Sequence, residues 1–113
     1  LDLERLKAIS RGKVTFQQQL VQAFIKNAQP GLEQIRLAIP MNDFEIIMQQ
    51  AHRLKGASAN VGVRLMPAVA AQLEQQARDE NLAGATEKLE ALESQLERVK
   101  AFVENEWMES AME

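Results

Sequence analysis

The sequence of 113 residues contains no cysteine, no tyrosine, one tryptophan and one histidine. Without cysteine, disulfides and thiolate metal sites are excluded. The apolar runs are only a few residues long, too short to span a bilayer, and no positively charged segment is followed by an apolar signal region. We therefore expect no membrane segment and a cytoplasmic location.

Basic residues are also too few to suggest a nucleic-acid partner. The 13 Lys and Arg are outnumbered by 16 Asp and Glu, which gives a net charge of −3, whereas phosphate contacts require clustered Lys and Arg. Five glycines, three prolines and a 46% hydrophobic composition are typical of a helical globule. A chain of this length fits one domain, residues 1–113, and because it opens with Leu1 rather than Met, we expect it to be excised from a longer protein.

Apolar residues recur at steps of three and four along the whole chain, which predicts helices and no strands. The first predicted helix is the short segment "LDLERLKAIS", and the second runs from Val14 to Ile39 with a kink or helix junction at Pro30. The third begins at "MNDFE", with Asn42 as its cap and Glu45 three residues on. The fourth begins at "RLMPA" and buries Met66, Val69, Ala70, Leu73 and Ala77, and the last has an apolar seam of Leu89, Leu92, Leu96, Val99 and Val103, beside which lie Phe102 and Trp107.

These segments predict an all-α fold, an antiparallel four-helix bundle with a short extra N-terminal helix. A long coiled coil is the competing fold. Proline and glycine at positions 30, 40, 62, 67 and 84 argue against it, since a long coiled coil has few reasons to turn.

The single histidine lies in the third segment, "AHRLKGASANVG". At 100° per residue, the core-facing stripe of this helix is centred about 130° from His52, so the imidazole is predicted to face outward. Glu45, Met48, Gly56 and Ala59 share this outward face, and Lys55 lies slightly to one side. Gly56 is one turn above His52. Because a glycine inside a helix costs about 1 kcal/mol relative to alanine, we expect it to leave space beside the ring for a partner or a phosphoryl group.

Several roles compete for an exposed, solitary histidine. The simplest is a solvated surface residue. A metal site is disfavoured because the chain has no second histidine and no cysteine. General acid or base catalysis fits the ring, but no serine or threonine is paired with an acid on this face. The remaining chemical role is a nucleophile: a neutral imidazole nitrogen can attack phosphorus and carry the group as a phosphoramidate.

The residues around His52 resemble the signature of histidine-containing phosphotransfer (HPt) domains, whose pattern is His, any residue, Leu, Lys, Gly and two small residues, then a Gly and a later Leu-Glu pair. The matching residues are His52, Leu54, Lys55, Gly56, Ala57, Ser58, Gly62, Leu73 and Glu74. The arrangement of the predicted helices is also similar along the rest of the chain. The family fold is a four-helix bundle with an additional N-terminal helix.

The resemblance implies roles for particular residues. His52 is expected to be the phosphoacceptor, modified on Nε2, with Lys55 beside the phosphoryl group and Gly56 giving the partner room. Glu74 matches the position from which some members hold the other ring nitrogen. Met48, Arg53, Ala59 and Arg64 are candidate partner-docking residues, Arg53 and Arg64 also being weaker candidates for offsetting the phosphoryl charge.

The resemblance also implies the partner, a response-regulator receiver domain that supplies the acceptor aspartate and the Mg²⁺. This chain is expected to have no cofactor or metal of its own, to be a monomer without intrinsic kinase activity, and to belong to a longer multidomain sensor kinase; the kinase it works with can be attached or separate. Two alternatives stay open: a helical scaffold or dimerisation module without phosphotransfer, and the phosphoacceptor domain of a chemotaxis-type kinase.

Overall fold

A computed structural model describes residues 14–108, and the side chains of residues 16–105. The helices are α1 (Val14–Ala38), α2 (Phe44–Asn60), α3 (Met66–Arg78) and α4 (Ala85–Phe102), which continues as a π-helical stretch, Val103–Met108. Helix α2 packs against α1 and α3, and α4 packs against the same two helices. The predicted antiparallel four-helix bundle is confirmed and the coiled-coil alternative is wrong. The predicted N-terminal helix lies outside the described residues.

The core is formed by the predicted apolar stripes of all four helices. Its largest fully buried side chains are Val21, Ile35, Ile47, Met66, Leu73, Leu89 and Leu92. Five seam positions of the last helix, from Leu89 to Val103, are all buried, whereas Val69 and Phe102 are half-buried. Because one face of each helix is buried in the core, the opposite face is exposed and can carry charged and functional side chains.

Proline residues shape α1 in two ways. Pro30 lies inside one continuous helix, so the predicted alternative of two abutting helices is wrong. Helix α1 ends at Ala38, two residues before Pro40, because the residue that precedes a proline is disfavoured in the helical conformation. A short turn then leads into α2.

The start of α2 differs from the prediction by one residue. The helix is capped by Asp43, whose side chain accepts a hydrogen bond from the Ile46 amide at 3.3 Å, rather than by Asn42. Asn42 instead has a φ of 51°, a left-handed conformation that asparagine tolerates in turns. Glu45 is consequently the second helical residue and does not stand at the third position that a capping box requires.

Gly62 ends α2 as predicted. Its φ of 76° is the left-handed conformation that glycine adopts at least cost. The Gly62 amide donates to the Ala59 carbonyl, and the Val63 amide donates to the Ser58 carbonyl, at 3.2 and 3.0 Å. This pair of bonds terminates the helix and turns the chain sharply, so that α3 returns alongside α2.

Candidate functional site

The His52 side chain projects from the outer face of α2. Its side chain is 67% exposed, which confirms the predicted outward orientation. The core side of the same helix is occupied by Ile47, Ala51, Leu54 and Ser58, all of which are buried. The imidazole is therefore accessible to another molecule while its helix is held firmly by the bundle.

Glu74 on α3 lies directly beside this ring. His52 Nδ1 is 3.0 Å from Glu74 Oε2. Glu74 is itself only 7% exposed and is one of the buried residues of α3, a helix that packs against α2. An ionised carboxylate only accepts hydrogen bonds, so Nδ1 carries the proton and donates it. The neutral ring then presents an unprotonated Nε2 with a free lone pair.

Two cations complete the surroundings of Glu74. Lys55 Nζ lies 3.0 Å from Oε1, and Arg78 Nη2 lies 3.3 Å from Oε2. Arg78 is on α3, four residues after Glu74, where side chains on one helix face meet. We call these four residues, His52, Lys55, Glu74 and Arg78, the Glu74 cluster. It places two positive charges and one negative charge beside a neutral imidazole.

The cluster keeps Glu74 ionised. Burial raises the pKa of this carboxyl, but hydrogen bonds from Lys55 and His52, with the Lys55 charge and a smaller contribution from His52, outweigh it, so the net pKa is lowered from 4.5. Glu74 is therefore a charged acceptor at neutral pH.

Gly56 leaves open space next to the ring. A Cβ atom built at this position meets nothing within 4 Å other than its own helix. The residue is exposed, so it does not serve close packing between helices. The surface depression at the ring is lined by Met48, Gln49, His52, Arg53, Glu74 and Arg78. A docking partner thus meets the imidazole without obstruction from the neighbouring helical turn.

Comparisons with known proteins identify the family of the chain. The family model described as "Hpt domain" matches residues 19–102. The chain belongs to the HPt family. Its fold is similar to the crystal structure of histidine-containing phosphotransfer protein B (HptB) from Pseudomonas aeruginosa PAO1, with a TM-score of 0.85, 24% identity, and coverage of 94% of this chain and 92% of that one. No curated protein matches the chain.

The HPt bundle brings most of the predicted site residues together. Met48 and Arg53 border His52 in the depression, and Ala59 is half-buried two turns further along α2. Arg64 lies elsewhere: it follows α2 and lines a separate groove that includes Leu65 and Arg98. The structure therefore does not bring Arg64 into the depression around His52.

Arg78 and Gln49 were not predicted as site residues, although both line the depression of this HPt domain. The i+4 spacing of Arg78 from Glu74 was a usable signal, since it predicts an ion pair on a helix. Among residues 14–108, the structure contains no group of three or more His, Asp or Glu side chains that could hold a metal ion. None of the described helices has the length and apolar character that crossing a bilayer requires.

Proposed function

We propose that this HPt domain is a phosphorelay carrier that accepts a phosphoryl group on His52 and exchanges it with an aspartate of a response-regulator receiver domain. The observation that supports the proposal is the bond between His52 Nδ1 and buried Glu74, which leaves Nε2 of an exposed imidazole free. Because phosphoryl transfer depends mainly on positioning and charge neutralisation, an oriented nitrogen on an open surface suits this role.

In the proposed step the phosphoryl group passes from the receiver aspartate to Nε2 of His52. The Nε2 lone pair forms a bond to phosphorus as the bond from phosphorus to the aspartyl oxygen breaks, and that electron pair returns to the aspartate carboxylate. His52 keeps its Nδ1 proton, so the modified ring has a formal positive charge, which the adjacent Glu74 carboxylate offsets. The reverse step needs no additional proton, because the ring already leaves as a neutral imidazole.

We propose that the receiver domain brings the Mg²⁺ and the acceptor aspartate, and that the HPt domain acts without kinase activity of its own. Gly56 gives the receiver room, and Met48 and Arg53 lie where it would contact α2. Arg64 would contribute to docking only at the edge of such an interface, since it lines a different groove.

The test is phosphotransfer from a panel of phosphorylated receiver domains to this chain. We expect acid-labile, base-stable phosphate on the wild-type chain with at least one receiver, and complete loss of label in His52→Gln with circular dichroism unchanged. Labelling that persists in His52→Gln would assign the phosphate to another residue. Receiver binding without any transfer would favour a scaffold. Labelling only when an ATPase domain is attached to the chain, and by no receiver domain, would favour the phosphoacceptor domain of a chemotaxis-type kinase.

A further inference from the structure

We propose that this chain forms a dimer in which each copy binds the acidic C-terminal segment of the other. The binding surface is the groove between the α2–α3 turn and the end of α4, which we call the terminal groove. It is lined by Val63, Arg64, Leu65, Gln95, Arg98, Val99 and Phe102. The groove includes neither His52 nor any other residue of the Glu74 cluster, so the dimer does not depend on the proposed function. Such a dimer would replace the monomer that we expected from the sequence.

The terminal groove is open and largely apolar. Its volume is about 360 Å³. Leu65 is 60% exposed, and Phe102 is half-buried, whereas Val63 and Val99 are buried. Covering Leu65 and Phe102 would remove apolar surface from water, which favours an occupant with large apolar side chains.

The groove is also positively charged. Arg64 and Arg98 line it, and no Asp or Glu does. Both arginines are exposed, and neither side chain forms an ion pair with a residue that the structure describes. Four other basic residues each pair with a glutamate: Arg36, Lys55, Arg78 and Lys100. Two uncompensated positive charges beside apolar side chains favour an occupant that is acidic as well as apolar.

The C-terminal segment of the chain has both properties. Residues 104–113 read "ENEWMESAME", with four glutamates and no lysine or arginine. They also include Trp107, Met108 and Met112, and tryptophan and methionine are enriched at protein interfaces. The segment therefore complements the terminal groove in charge and in apolar character.

The segment does not reach the groove of its own chain. Helix α4 continues without a turn into the π-helical stretch Val103–Met108, which contacts α1 but neither α2 nor α3. Trp107 and Met108 belong to this stretch, so they lie beyond the groove along the helix. The five residues that follow Met108 span at most about 17 Å. A return to Arg98 would use all of them, because it covers about 15 Å along the helix axis before any turn.

A second copy meets this geometry. When two copies lie with their α4 helices antiparallel and a two-fold axis near the helix ends, the segment of each copy runs along the terminal groove of the other. The same contact then occurs twice, as in most symmetric dimers. Glutamates of one copy face Arg64 and Arg98 of the other, and Trp107 of one copy faces Leu65 and Phe102 of the other.

Sedimentation velocity of the full chain over a range of concentrations tests the proposal, together with the emission of Trp107, the single tryptophan of the sequence. We expect a concentration-dependent dimer and a blue shift of the emission as it forms, both reduced by added salt. Arg64→Glu/Arg98→Glu should weaken dimerisation more than about tenfold, since it brings like charges together. The matched control is Lys26→Glu, which reverses an exposed charge on α1 and should leave dimerisation unchanged.

Charge reversal on the segment makes the test specific to this contact. Glu104→Lys/Glu106→Lys/Glu109→Lys reverses three of the four glutamates and gives the segment a net positive charge. This variant should also dimerise weakly. Mixed with Arg64→Glu/Arg98→Glu, it should form a dimer that contains one copy of each, because every groove then meets a segment of opposite charge. Circular dichroism checks that each variant is folded.

A chain that stays monomeric at every concentration would overturn the proposal, as would a dimer that neither charge reversal weakens or a mixture that does not associate. A blue-shifted emission independent of concentration would place the segment on its own chain and would also overturn it. His52→Gln should dimerise like the wild type, so failure of the proposed function leaves this result unaffected.

Discussion

Among the residues that the structure describes, two charged contacts between neighbouring helices differ in burial and in number of partners. Between α2 and α3, Glu74 is 7% exposed and contacts His52, Lys55 and Arg78. Between α1 and α4, the side chains of Arg36 and Glu93 pair with each other at 47% and 31% exposure. Water reaches the carboxylate of Glu93 more readily than the buried carboxylate of Glu74, although the partners of both carboxylates are exposed.

The difference separates a site from a surface feature. An exposed pair lets both side chains move, so it holds nothing in a defined orientation. A buried carboxylate with three donors fixes the tautomer of the imidazole, since leaving the carboxylate without partners would be costly. The Glu74 cluster thus orients the imidazole of the proposed phosphoryl acceptor, whereas the exposed Arg36–Glu93 pair orients no such group.

Loss of the Glu74 carboxylate should reduce the rate of phosphotransfer more than the other substitutions below. Glu74→Ala removes the acceptor of the Nδ1 proton, so the ring samples both tautomers and loses the charge that offsets its phosphorylated form. Phosphotransfer should slow about 10- to 100-fold, as when a carboxylate that orients a functional histidine is removed, and unfolding free energy should fall by about 1–2 kcal/mol.

Stopped-flow transfer and urea unfolding measure these two quantities. Glu74→Gln tests shape against charge: it keeps a side chain of the same size that can accept the bond, and should show an intermediate loss of rate. Transfer at the wild-type rate in Glu74→Ala would mean that the orientation of His52 does not depend on Glu74.

Gly56 provides the second test, with a matched pair of substitutions. Gly56→Ala fits the open space and should stabilise the fold by about 1 kcal/mol, because alanine is the better helix former. Gly56→Leu should keep the fold stable while transfer from a receiver domain falls, since its side chain occupies the docking surface. Labelling of the leucine variant by phosphoramidate should stay near the wild-type rate.

The two donors make this result specific to docking. Equal losses with receiver and with phosphoramidate would indicate that leucine disturbs the imidazole rather than the partner. Full transfer from the receiver in Gly56→Leu would remove the steric role assigned to the glycine.

The pH dependence of stability should show the charge of Glu74. The pKa of Glu74 in the folded chain lies below its ordinary value of 4.5, so the ionised carboxylate stabilises the fold above this pH. That contribution is lost as pH falls from 4.5 through the lower pKa of the folded state. Urea unfolding of wild type and Glu74→Gln between neutral pH and about pH 3 measures it. The gap between the two proteins should shrink below pH 4.5; a gap that widens there would contradict the assigned charge.

Glu93→Gln should have the smallest effect. It breaks the exposed pair with Arg36 and leaves the Glu74 cluster untouched. Melting temperature and transfer rate should both stay close to wild type, and added salt should reduce the small difference further. A loss of transfer comparable to that of Glu74→Ala would mean that the two contacts are not distinct in function.

The sequence predicted the bundle and the exposure of His52 because both follow from local periodicity. The turn before α2 was predicted one residue early, since Asn42 and Asp43 are both good caps and their backbone conformations decide between them. Pro30 was expected either to kink α1 or to separate two abutting helices, and the helix continues through it, which rules out the second alternative.

The site was predictable only in part. Periodicity places His52 on the outside of α2 but cannot tell which residue of α3 lies opposite, so Glu74 came from the family resemblance. Its burial and its contact with Arg78 depend on how α2 and α3 pack together. Arg64, close to His52 along the chain, falls in another groove because the turn at Gly62 directs it away.

The most direct measurement is nuclear magnetic resonance of the ¹⁵N-labelled imidazole of His52 before and after phosphorylation. We predict a protonated Nδ1 in the unmodified neutral ring, attachment of phosphorus at Nε2, and an Nδ1 proton that persists in both states and loses its hydrogen bond in Glu74→Ala. Phosphorus on Nδ1, or a neutral ring protonated at Nε2, would contradict it.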